Sequence, residues 1–405
     1  MNNAQTHKPT DVIIVGAGPI GLSMAKALSG AGLSISLVER QPQDKIANPA
    51  PDGREIAVTH RTKALLQDLH IWQRFNEEVY FLRRAEVYNG DSSFALGFNK
   101  PDTVHGKHIE TLGYLVSNYN IRQASYAALS PRFGVDVHPY FDSQVVDTQI
   151  TNTYASVTIR DNATNETSVL RGRLIIGADS RLSFMRKALG ISADMHDFGR
   201  TVLVLRTTHT QSNRETAHEG FYYGKTLAVL PLGELQSSMV ITASNAFAEE
   251  IKAMNSDALA KMLESWLGGQ LGTMTVTSEI FSYPLVGVHA RRFYAKRAAI
   301  IGDAAVGMHP VTAHGYNLGM ESVQILSDQI IRAHQAGKDI AHPSLLRHYS
   351  HKHSLKTRPM YHGTNAIVKL YTAEALPAKA MRHAGLRLTE RLLPIKKLIT
   401  GQLTG

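Results

Sequence analysis

The stretch Asp11-Val-Ile-Ile-Val-Gly-Ala-Gly-Pro-Ile-Gly21 decides the fold, because it places a glycine motif directly behind a short apolar segment. A continuous apolar run of this length is typical of a fully buried parallel strand. The glycines have the spacing Gly-x-Gly-x-x-Gly. A helical pattern follows and stops at Gly30 and Gly32, which suit a helix C-terminus, and a second apolar segment covers residues 35–38. This order predicts a strand, a helix and a second strand of a parallel sheet.

Each position in the motif has a physical task. Gly16 permits a tight turn, Gly18 lets backbone amides approach a pyrophosphate, and Gly21 lets the helix pack closely on the strand. The N-terminus of the helix offers unpaired N–H groups and a partial positive charge to phosphates. Glu39 follows at the separation at which an acidic side chain accepts hydrogen bonds from ribose hydroxyls. The complete order therefore predicts dinucleotide binding, which an isolated glycine motif would not.

The length, cysteine content and net charge of the chain exclude several classes of protein and of binding site. The chain has 405 residues and no cysteine, so its length fits two or three structural units, and disulfides, thiolate metal sites and flavin–disulfide reductases are excluded. We expect no metal site. The net charge of +9 fits anionic cofactors or an anionic membrane surface. Nucleic acid is the weakest alternative, because we find no recognition-helix or aromatic RNA-binding motif.

The two ends of the chain bear on its location. Residues 1–10 lack the apolar core of a signal peptide, and no segment approaches the roughly 18 apolar residues of a membrane-spanning helix. We therefore expect a cytoplasmic protein. Residues 376–400 are basic and carry an apolar stripe interrupted by Pro394. The stripe predicts either a helix docked on its own domain or peripheral contact with the inner face of the membrane.

Two later strand patterns end near an aspartate. The segment 173–177 leads into Ala-Asp179, and the segment 298–301 leads into Gly-Asp303. An aspartate at the carboxyl end of such a strand lies where open α/β sheets bind ligands. Asp179 could instead cap the helix predicted at 183–189, and the two roles are compatible.

Other segments also have a predicted place. Residues 78–116 and 200–290 are mostly strand-like, with one helix near 257–267, and predict an inserted substrate domain. A glycine-containing loop leads into a long helix predicted from about residue 320 to 336. The N-terminus of that helix again offers N–H groups to an electron-rich atom. Residues 341–405 are predicted to be helical.

In combination, the three motifs resemble a known family. The glycine motif with its acidic partner, Gly177-Ala-Asp179 and Gly302-Asp303 occur in the order found in the class A flavoprotein monooxygenases, which have the fold of p-hydroxybenzoate hydroxylase. The resemblance covers nearly the whole chain. Within that class, the segment Asp52-Gly-Arg54-Glu-Ile-Ala, the loop from His309 to Gly319 and the ending Leu386-Arg-Leu are most similar to the ubiquinone-biosynthesis hydroxylases.

The resemblance implies FAD as the cofactor and NADH or NADPH as the co-substrate. It implies that the glycines hold the FAD pyrophosphate and that Glu39 binds the adenosine ribose, while the three arginines lie near the phosphates and ribose. It also implies that the backbone at Val145 contacts the adenine and that the start of the long helix faces the flavin ring. Asp303 would bind the ribitol chain, and Asp179 belongs to a motif that serves both nucleotides. The implied cofactor-binding residues are Gly16, Gly18, Gly21, Glu39, Arg40, Arg54, Arg122, Val145, Asp179, Asp303, Gly315, Tyr316 and Asn317.

The implied fold is α/β, a Rossmann-type FAD-binding domain with an inserted β-sheet substrate domain and a helical C-terminus. The FAD-binding domain is predicted to be discontinuous and to comprise residues 1–77, 110–185 and 291–340. The predicted substrate domain comprises residues 78–109 and 186–290, and residues 341–405 form the predicted C-terminal helical segment.

The sequence departs from the family at two places. Ser180 stands where glycine is usual, which would reshape the nucleotide contact. Ala313-His314-Gly315 replaces Gly-Gln-Gly beside the flavin ring, and a branch of the ubiquinone hydroxylases with broad regioselectivity carries this variation. No acid–base dyad is evident in the sequence. His309, Pro310 and His314 are therefore the candidate catalytic residues, and an imidazole beside the flavin could tune its charge or polarise a phenol.

The resemblance implies an NAD(P)H-driven aromatic monooxygenase that hydroxylates a polyprenylated phenol or quinol ring in ubiquinone biosynthesis. Its partners would be this substrate, oxygen and other ubiquinone-biosynthesis proteins, with no nucleic acid. Three alternatives remain: an aromatic hydroxylase of a non-quinone substrate, a polyprenyl-lipid flavin reductase of the same fold, and a non-catalytic quinone- or flavin-binding assembly factor. Flavin reduction by NAD(P)H would exclude the last of these.

Overall fold

The computed structural model describes residues 5–75, 79–90, 95–104, 107–222, 224–309 and 314–372, together with residues 400, 401 and 404. The catalytic candidate Pro310 lies outside these residues, as does nearly all of the basic stripe predicted at 376–400.

A mostly parallel sheet carries the glycine motif. Thr10–Val15 lies between Ile35–Val38 and Thr167–Gly177, and Ala298–Ile300 pairs in parallel with the end of Thr167–Gly177. The side chains of residues 12–14 are fully buried. Because these strands are parallel, their carboxyl ends meet at one edge, and the three predicted motifs lie together there. The strands of this sheet are Gln5–Thr6, Thr10–Val15, Ile35–Val38, Val137–Tyr140, Ser143–Ile150, Ala155–Asp161, Thr167–Gly177, Tyr294–Ala295 and Ala298–Ile300.

The helix behind the glycine motif connects this sheet to the rest of the fold. Pro19–Leu28 contacts both Asn118–Leu129 and Gly315–Gln335. It ends before Gly30, whose φ of +79° is the left-handed conformation that often terminates a helix. The α-helices of the described residues are Pro19–Leu28, Gln43–Ala47, His60–Asp68, Asn118–Leu129, Phe184–Ala188, Asn245–Ala253, Ser256–Trp266, Gly315–Gln335 and Pro343–Thr372.

A second large sheet has two distinct faces. Helices Asn245–Ala253 and Ser256–Trp266 cover its outer face, where Leu203, Leu227 and Ile241 are almost fully buried. We call the opposite face, which carries the alternate residues of the same strands, the inner face. The strands of this sheet are Arg84–Asn89, Ala95–Asn99, Ala193–His209, Thr216–Tyr222, Lys225–Pro231, Gln236–Ser244, Met274–Val276, Phe281–Ala290 and Val306–Gly307.

A small antiparallel sheet lies between the two large ones. Gly113–Ser117 is its central strand and pairs with Glu55–Val58 on one side and Val79–Leu82 on the other. Val79–Leu82 also contacts Lys225–Pro231 of the second large sheet. A separate short hairpin joins Thr103–Val104 to Lys107–His108.

Several elements differ from the sequence prediction, and three of them lie at or near the two large sheets. The strand Glu55–Val58 was not predicted, because pairing with Gly113–Ser117, distant in sequence, defines it. The helix Asn245–Ala253 was not predicted either. It follows a strand without a glycine or proline, and the Ser244 hydroxyl that accepts a hydrogen bond from the Phe247 N–H is its start signal. The long helix predicted from residue 320 begins earlier, at Gly315.

The helix Pro343–Thr372 packs its buried side chains against both large sheets. Tyr349 donates its hydroxyl to the carbonyl of Ile300 over 2.8 Å, and His289 Nε2 lies 3.1 Å from the Thr357 hydroxyl. His353 stacks on Tyr349 in the same core. Among the described residues, no helix is long and apolar enough to cross a membrane.

Candidate active site

The three glycines of the motif have different surroundings. Gly16 has a φ of +107°, and a Cβ there would lie 2.5 Å from the Ala178 carbonyl oxygen. A Cβ on Gly21 would lie 1.9 Å from the Gly16 carbonyl oxygen. A Cβ on Gly18 would meet no protein atom within 4 Å. The protein's own packing therefore requires Gly16 and Gly21, whereas Gly18 keeps a space open that fits a pyrophosphate.

The first turn of helix Pro19–Leu28 faces this open space. Gly18 is the N-cap residue and has no side chain with which to bind the first N–H groups, and Pro19 occupies the first helical position. The remaining N–H groups and the helix dipole therefore favour an anion at this place. The arrangement fits the phosphates of a dinucleotide.

Ile20 connects this helix to two other parts of the site. A Cβ on Gly302 would lie 3.0 Å from Ile20 Cγ2, and a Cβ on Gly319 would lie 2.7 Å from Ile20 Cδ1. The Ile20 side chain thus fills the space that these two glycines leave. It packs the first helix against both the turn Gly302–Ala304 and the helix that begins at Gly315.

Glu39 lies directly beside the glycine motif, as predicted. Its carboxylate accepts hydrogen bonds from the N–H of Ala17 over 2.7 Å and the N–H of Gln41 over 2.8 Å. Its own carbonyl accepts from Ser143 over 2.9 Å. Val145 follows two residues later, where the pairing of its strand is interrupted by a bulge. The strand position implied for adenine is therefore adjacent to the acid implied for ribose.

Two of the predicted arginines converge on the same region. Arg54 lies 2.5 Å from Asp52 and 5.2 Å from the centre of the Tyr283 ring. Burial opposes its charge, but Asp52 and, more weakly, Tyr283 and Asp303 raise the pKa of Arg54 overall. Burial lowers the pKa of Arg122, which also experiences the charges of Asp52, Arg54 and Glu39.

Arg40 has a different position from Arg54 and Arg122. Its side chain is exposed, and its carbonyl accepts a hydrogen bond from Asn162 Nδ2 over 3.0 Å. Its implied role at the phosphates or ribose stays a prediction.

Asp179 has the capping contacts that the sequence left open. Its carboxylate accepts a hydrogen bond from the Ser183 hydroxyl over 2.5 Å and another from the Met185 N–H over 3.1 Å. Burial raises the pKa of Asp179, partly opposed by these hydrogen bonds. Asp179 thus fixes the start of helix Phe184–Ala188, and its implied nucleotide contact stays a prediction.

Asp303 has a partner that the sequence analysis missed. Arg181 Nη2 lies 3.2 Å from Asp303 Oδ2, while Arg181 Nη1 donates to the Val286 carbonyl over 2.8 Å. The Asp303 side chain remains 45% exposed, so it can still accept hydrogen bonds from a ligand. The arginine two residues after Asp179 was the available signal, but only the pairing of the two strands brings it to Asp303.

The start of the long helix contains the three residues implied at the flavin ring. Gly315, Tyr316 and Asn317 form its first turn, whose N–H groups precede the first hydrogen bond of the helix, from Leu318 to the His314 carbonyl. The Asn317 side chain has a separate task. It accepts from the Thr59 N–H over 3.1 Å and donates to the Ala57 carbonyl over 2.8 Å, and so ties the helix to the small sheet.

The two described histidine candidates differ in environment. His309 is buried, and its ring lies 5.3 Å from that of Phe198, edge to face. Burial, and to a lesser extent Arg181 and Arg200, lowers the pKa of His309 to about 4, so it is neutral at neutral pH. His314 occupies the N-cap position of helix Gly315–Gln335 and is partly buried. Their catalytic roles stay predictions.

The inner face of the second sheet closes the site from the opposite side. Tyr283 donates its hydroxyl to the Asp52 carbonyl over 2.6 Å, and Arg206 Nη2 lies 2.6 Å from Glu55 Oε1. Phe198 reaches His309 from the same side. The candidate site thus lies where the inner face meets the carboxyl edge of the parallel sheet, and a ring bound there would be shielded from water.

Three buried histidines make the fold sensitive to acid. Burial lowers the pKa of His289, His309 and His353 to about 4, from an ordinary value of 6.5. Between these pH values the unfolded chain therefore binds more protons than the folded chain. The full contribution of the neutral histidines to the free energy of unfolding is present above pH 6.5, and it decreases as the pH falls through this window. Each histidine contributes about 1.4 kcal/mol per pH unit within the window. We expect the Tm to fall steadily between about pH 6.5 and pH 5.

Matched variants test this expectation. His353→Gln should flatten the dependence of Tm on pH, whereas His348→Gln, at an exposed position, should leave the slope as in the unmodified protein. A Tm that is constant over this range would contradict the assignment of neutral buried histidines.

Known proteins share this architecture and much of the sequence. A family model described as FAD binding domain matches residues 9–361. The chain is 46% identical to ubiquinone hydroxylase UbiM of Neisseria meningitidis, over 98% of this chain and 85% of that protein. It is 25% identical to the 3-demethoxyubiquinol 3-hydroxylase of Escherichia coli, over 97% of each. The fold matches p-nitrophenol 4-monooxygenase PnpA of Pseudomonas putida with a TM-score of 0.78, at 16% identity and 99% coverage of both chains.

Proposed function

The chain belongs to the FAD-binding-domain family, and we propose on this premise that it is an FAD-dependent monooxygenase that uses NAD(P)H and oxygen to hydroxylate the ring of a ubiquinone precursor. The observation that carries the proposal is the similarity of almost the whole chain to a ubiquinone hydroxylase. The site geometry supports it, because the space beside Gly18, the Asp303 carboxylate and the first turn of helix Gly315–Gln335 lie along one edge of the parallel sheet.

The residues of the chain have separable tasks in this reaction. The open space at Gly18 and the start of helix Pro19–Leu28 hold the pyrophosphate, and Asp303 accepts hydrogen bonds from the ribitol hydroxyls. Bound FAD supplies the redox chemistry, accepting a hydride from NAD(P)H and activating oxygen. The positive end of helix Gly315–Gln335 stabilises negative charge on the ring system beside it. The inner face excludes water, which limits the loss of reducing equivalents to hydrogen peroxide.

The proposed substrate is a polyprenylated phenol or quinol, and the proposed partners include other ubiquinone-biosynthesis proteins. The apolar polyprenyl tail of such a substrate favours peripheral contact of the protein with a membrane. The basic stripe at 376–400 would supply that contact through anionic lipid. Flotation with anionic liposomes tests this part, and a chain truncated after Tyr371 that binds the liposomes as strongly as the full chain would contradict it.

The decisive experiment follows oxygen and product together. We expect purified protein to show a flavin spectrum. With NAD(P)H and a demethoxy-ubiquinol analogue, we expect it to consume one oxygen molecule for each hydroxylated ring formed. Reactions without the analogue, with hydrogen peroxide measured in parallel, separate hydroxylation from wasted oxygen reduction. Flavin reduction without a hydroxylated quinone would contradict the proposal and direct attention to another aromatic substrate. A saturated prenyl chain without stoichiometric oxygen use would identify a lipid reductase.

A further inference from the structure

Two polar side chains stand on the inner face, on neighbouring strands. Thr216–Tyr222 pairs in parallel with Arg84–Asn89, so that Glu219 lies beside Val87 and Phe221 lies beside Asn89. Glu219 also lies opposite Ala228 on the next strand. The alternate residues of Thr216–Tyr222 point to the other face, where the Tyr222 hydroxyl reaches the Trp266 carbonyl below the covering helices. Glu219 and Asn89 therefore share the face that closes the candidate active site.

The immediate surroundings of the two side chains are apolar. Leu96 and Phe221 are about 95% buried beside them, and Val87 and Ala228 complete the patch. Asn89 is 2% exposed, and its Oδ1 atom has no hydrogen-bond partner among the described residues. Glu219 is half-buried, and within the same part of the chain no hydrogen bond or ion pair involves its carboxyl. Buried polar groups without partners are rare in folded proteins and each requires an explanation.

The charged groups of this region do not explain Glu219. Arg206 on the inner face is paired with Glu55, near Tyr80 and Tyr119, and Arg54 is paired with Asp52. On the outer face, Glu86 is paired with Arg84 and His218. Helix Pro343–Thr372 also contacts the strand of Glu219, yet no charged group among the described residues shifts its titration. Burial is the cause that raises the pKa of Glu219 to about 8, which keeps it mostly protonated at pH 7.

A neutral carboxyl and a carboxamide have the hydrogen-bonding capacity that an oxygenated ring needs. The protonated carboxyl donates one hydrogen bond and accepts another, and the Asn89 oxygen accepts one. The apolar patch around them suits the ring itself. The strand Lys225–Pro231, next to that of Glu219, contacts the small sheet, which also carries Glu55 beside the candidate flavin region. The two side chains thus lie on the same sheet face as the residues that border the candidate active site, several strands away from them.

We propose that Glu219 and Asn89 bind the oxygen substituents of the aromatic substrate and orient its ring. The inference rests on the proposed function for the identity of the ring, and it adds the two residues that recognise it. Both side chains would contact the substrate directly, and the ligand would supply hydrogen-bond partners that the described residues do not.

The test compares substrate binding with stability in the FAD-loaded protein. We expect Glu219→Leu and Asn89→Leu each to weaken binding of the demethoxy-ubiquinol analogue about tenfold, because a hydrogen bond is lost in an apolar site. Binding is read from the change in the flavin absorption spectrum. The Tm should stay equal or rise, because the Glu219 carboxyl and Asn89 Oδ1 have no hydrogen-bond partner among the described residues and each variant replaces one of them with an apolar group in an apolar patch. A purely structural role would give the opposite pattern, a lower Tm with unchanged binding.

The variant Glu219→Gln separates the donor role from size. Its amide can still donate, so binding at pH 7 should stay within about threefold of the unmodified protein. Affinity of the unmodified protein should fall about tenfold between pH 7 and pH 9, as the carboxyl ionises, and Glu219→Gln should remove that fall. In infrared difference spectra, the stretch of a protonated carboxyl should shift when the analogue binds, and Glu219→Gln should lack this signal.

Glu249→Gln is the matched control, since its carboxyl is 69% exposed on helix Asn245–Ala253, and it should change none of these measurements. The inference is overturned if Glu219→Leu binds the analogue as tightly as the unmodified protein, or if the pH dependence persists in Glu219→Gln. Failure of the proposed function is distinguishable. In that case the unmodified protein forms no hydroxylated product, while binding of the oxygenated ring still depends on Glu219.

Discussion

Alanine at Gly21 is expected to abolish FAD binding and to destabilise the fold by about 3 kcal/mol or more. A Cβ at this position would lie 1.9 Å from the Gly16 carbonyl oxygen, a separation at which backbone must move. The movement would separate helix Pro19–Leu28 from the central strand and displace its first N–H groups. Purified Gly21→Ala protein should therefore lack the flavin spectrum, and its Tm should lie well below that of the unmodified protein.

Gly18→Ala is the matched control, because it adds the same methyl group in the same turn. A Cβ at Gly18 would meet no protein atom within 4 Å, so the apoprotein should unfold at nearly the unmodified temperature. The methyl group would instead enter the space assigned to the pyrophosphate, and FAD affinity should fall. Normal FAD affinity in Gly18→Ala would contradict the placement of the pyrophosphate, even if Gly21→Ala behaved as expected.

Loss of the Asp303 carboxylate is expected to weaken FAD binding by about ten- to a hundredfold with little loss of fold. In Asp303→Ala, the acceptor for the ribitol hydroxyls is removed, and hydrogen bonds to charged groups contribute about 1.5–3 kcal/mol. Arg181 would also lose its partner at 3.2 Å, but it keeps its hydrogen bond to the Val286 carbonyl. Titration of the apoprotein with FAD, followed by flavin fluorescence, measures the effect.

A second exposed ion pair provides the control for Asp303. Asp194 lies 3.3 Å from Arg291 and is 40% exposed, similar to Asp303, but it lies outside the set of residues assigned to the cofactor. Asp194→Asn should leave FAD affinity unchanged. Equal loss of affinity in both variants would show that the Asp303 effect arises from general destabilisation and not from a contact with the ribitol chain.

The glycine motif could be predicted because its chemistry is local. Strand, turn and helix follow one another within residues 11–28, and the close packing of Gly21 is against Gly16 of the same motif. Gly16 itself packs against the more distant Ala178. The burial of residues 12–14 and the position of Glu39 at the end of Ile35–Val38 follow from the same pattern.

The missed features depend on contacts between distant segments. Nothing in the sequence near Arg181 specifies an ion pair with Asp303, because parallel pairing of two strands more than 100 residues apart creates it. Glu55–Val58 becomes a strand only through Gly113–Ser117. In sequence, Glu219 lies between His218 and the aromatic residues 221–223, and its separation from other charged groups appears only when three strands assemble around it.

The position of Ile20 limits how this family of sites can diversify. The Ile20 side chain fills the gaps left by Gly302 and Gly319. It therefore contacts both the part of the proposed FAD site that holds the diphosphate and the part assigned to the flavin ring. A side chain in place of Gly302 or Gly319 has to be matched by a smaller one at position 20, whereas a larger side chain at position 20 cannot be matched, because both partners are already glycine. Substitutions at these three positions should therefore be coupled, and mutant libraries that redesign the proposed FAD site should vary Ile20, Gly302 and Gly319 together.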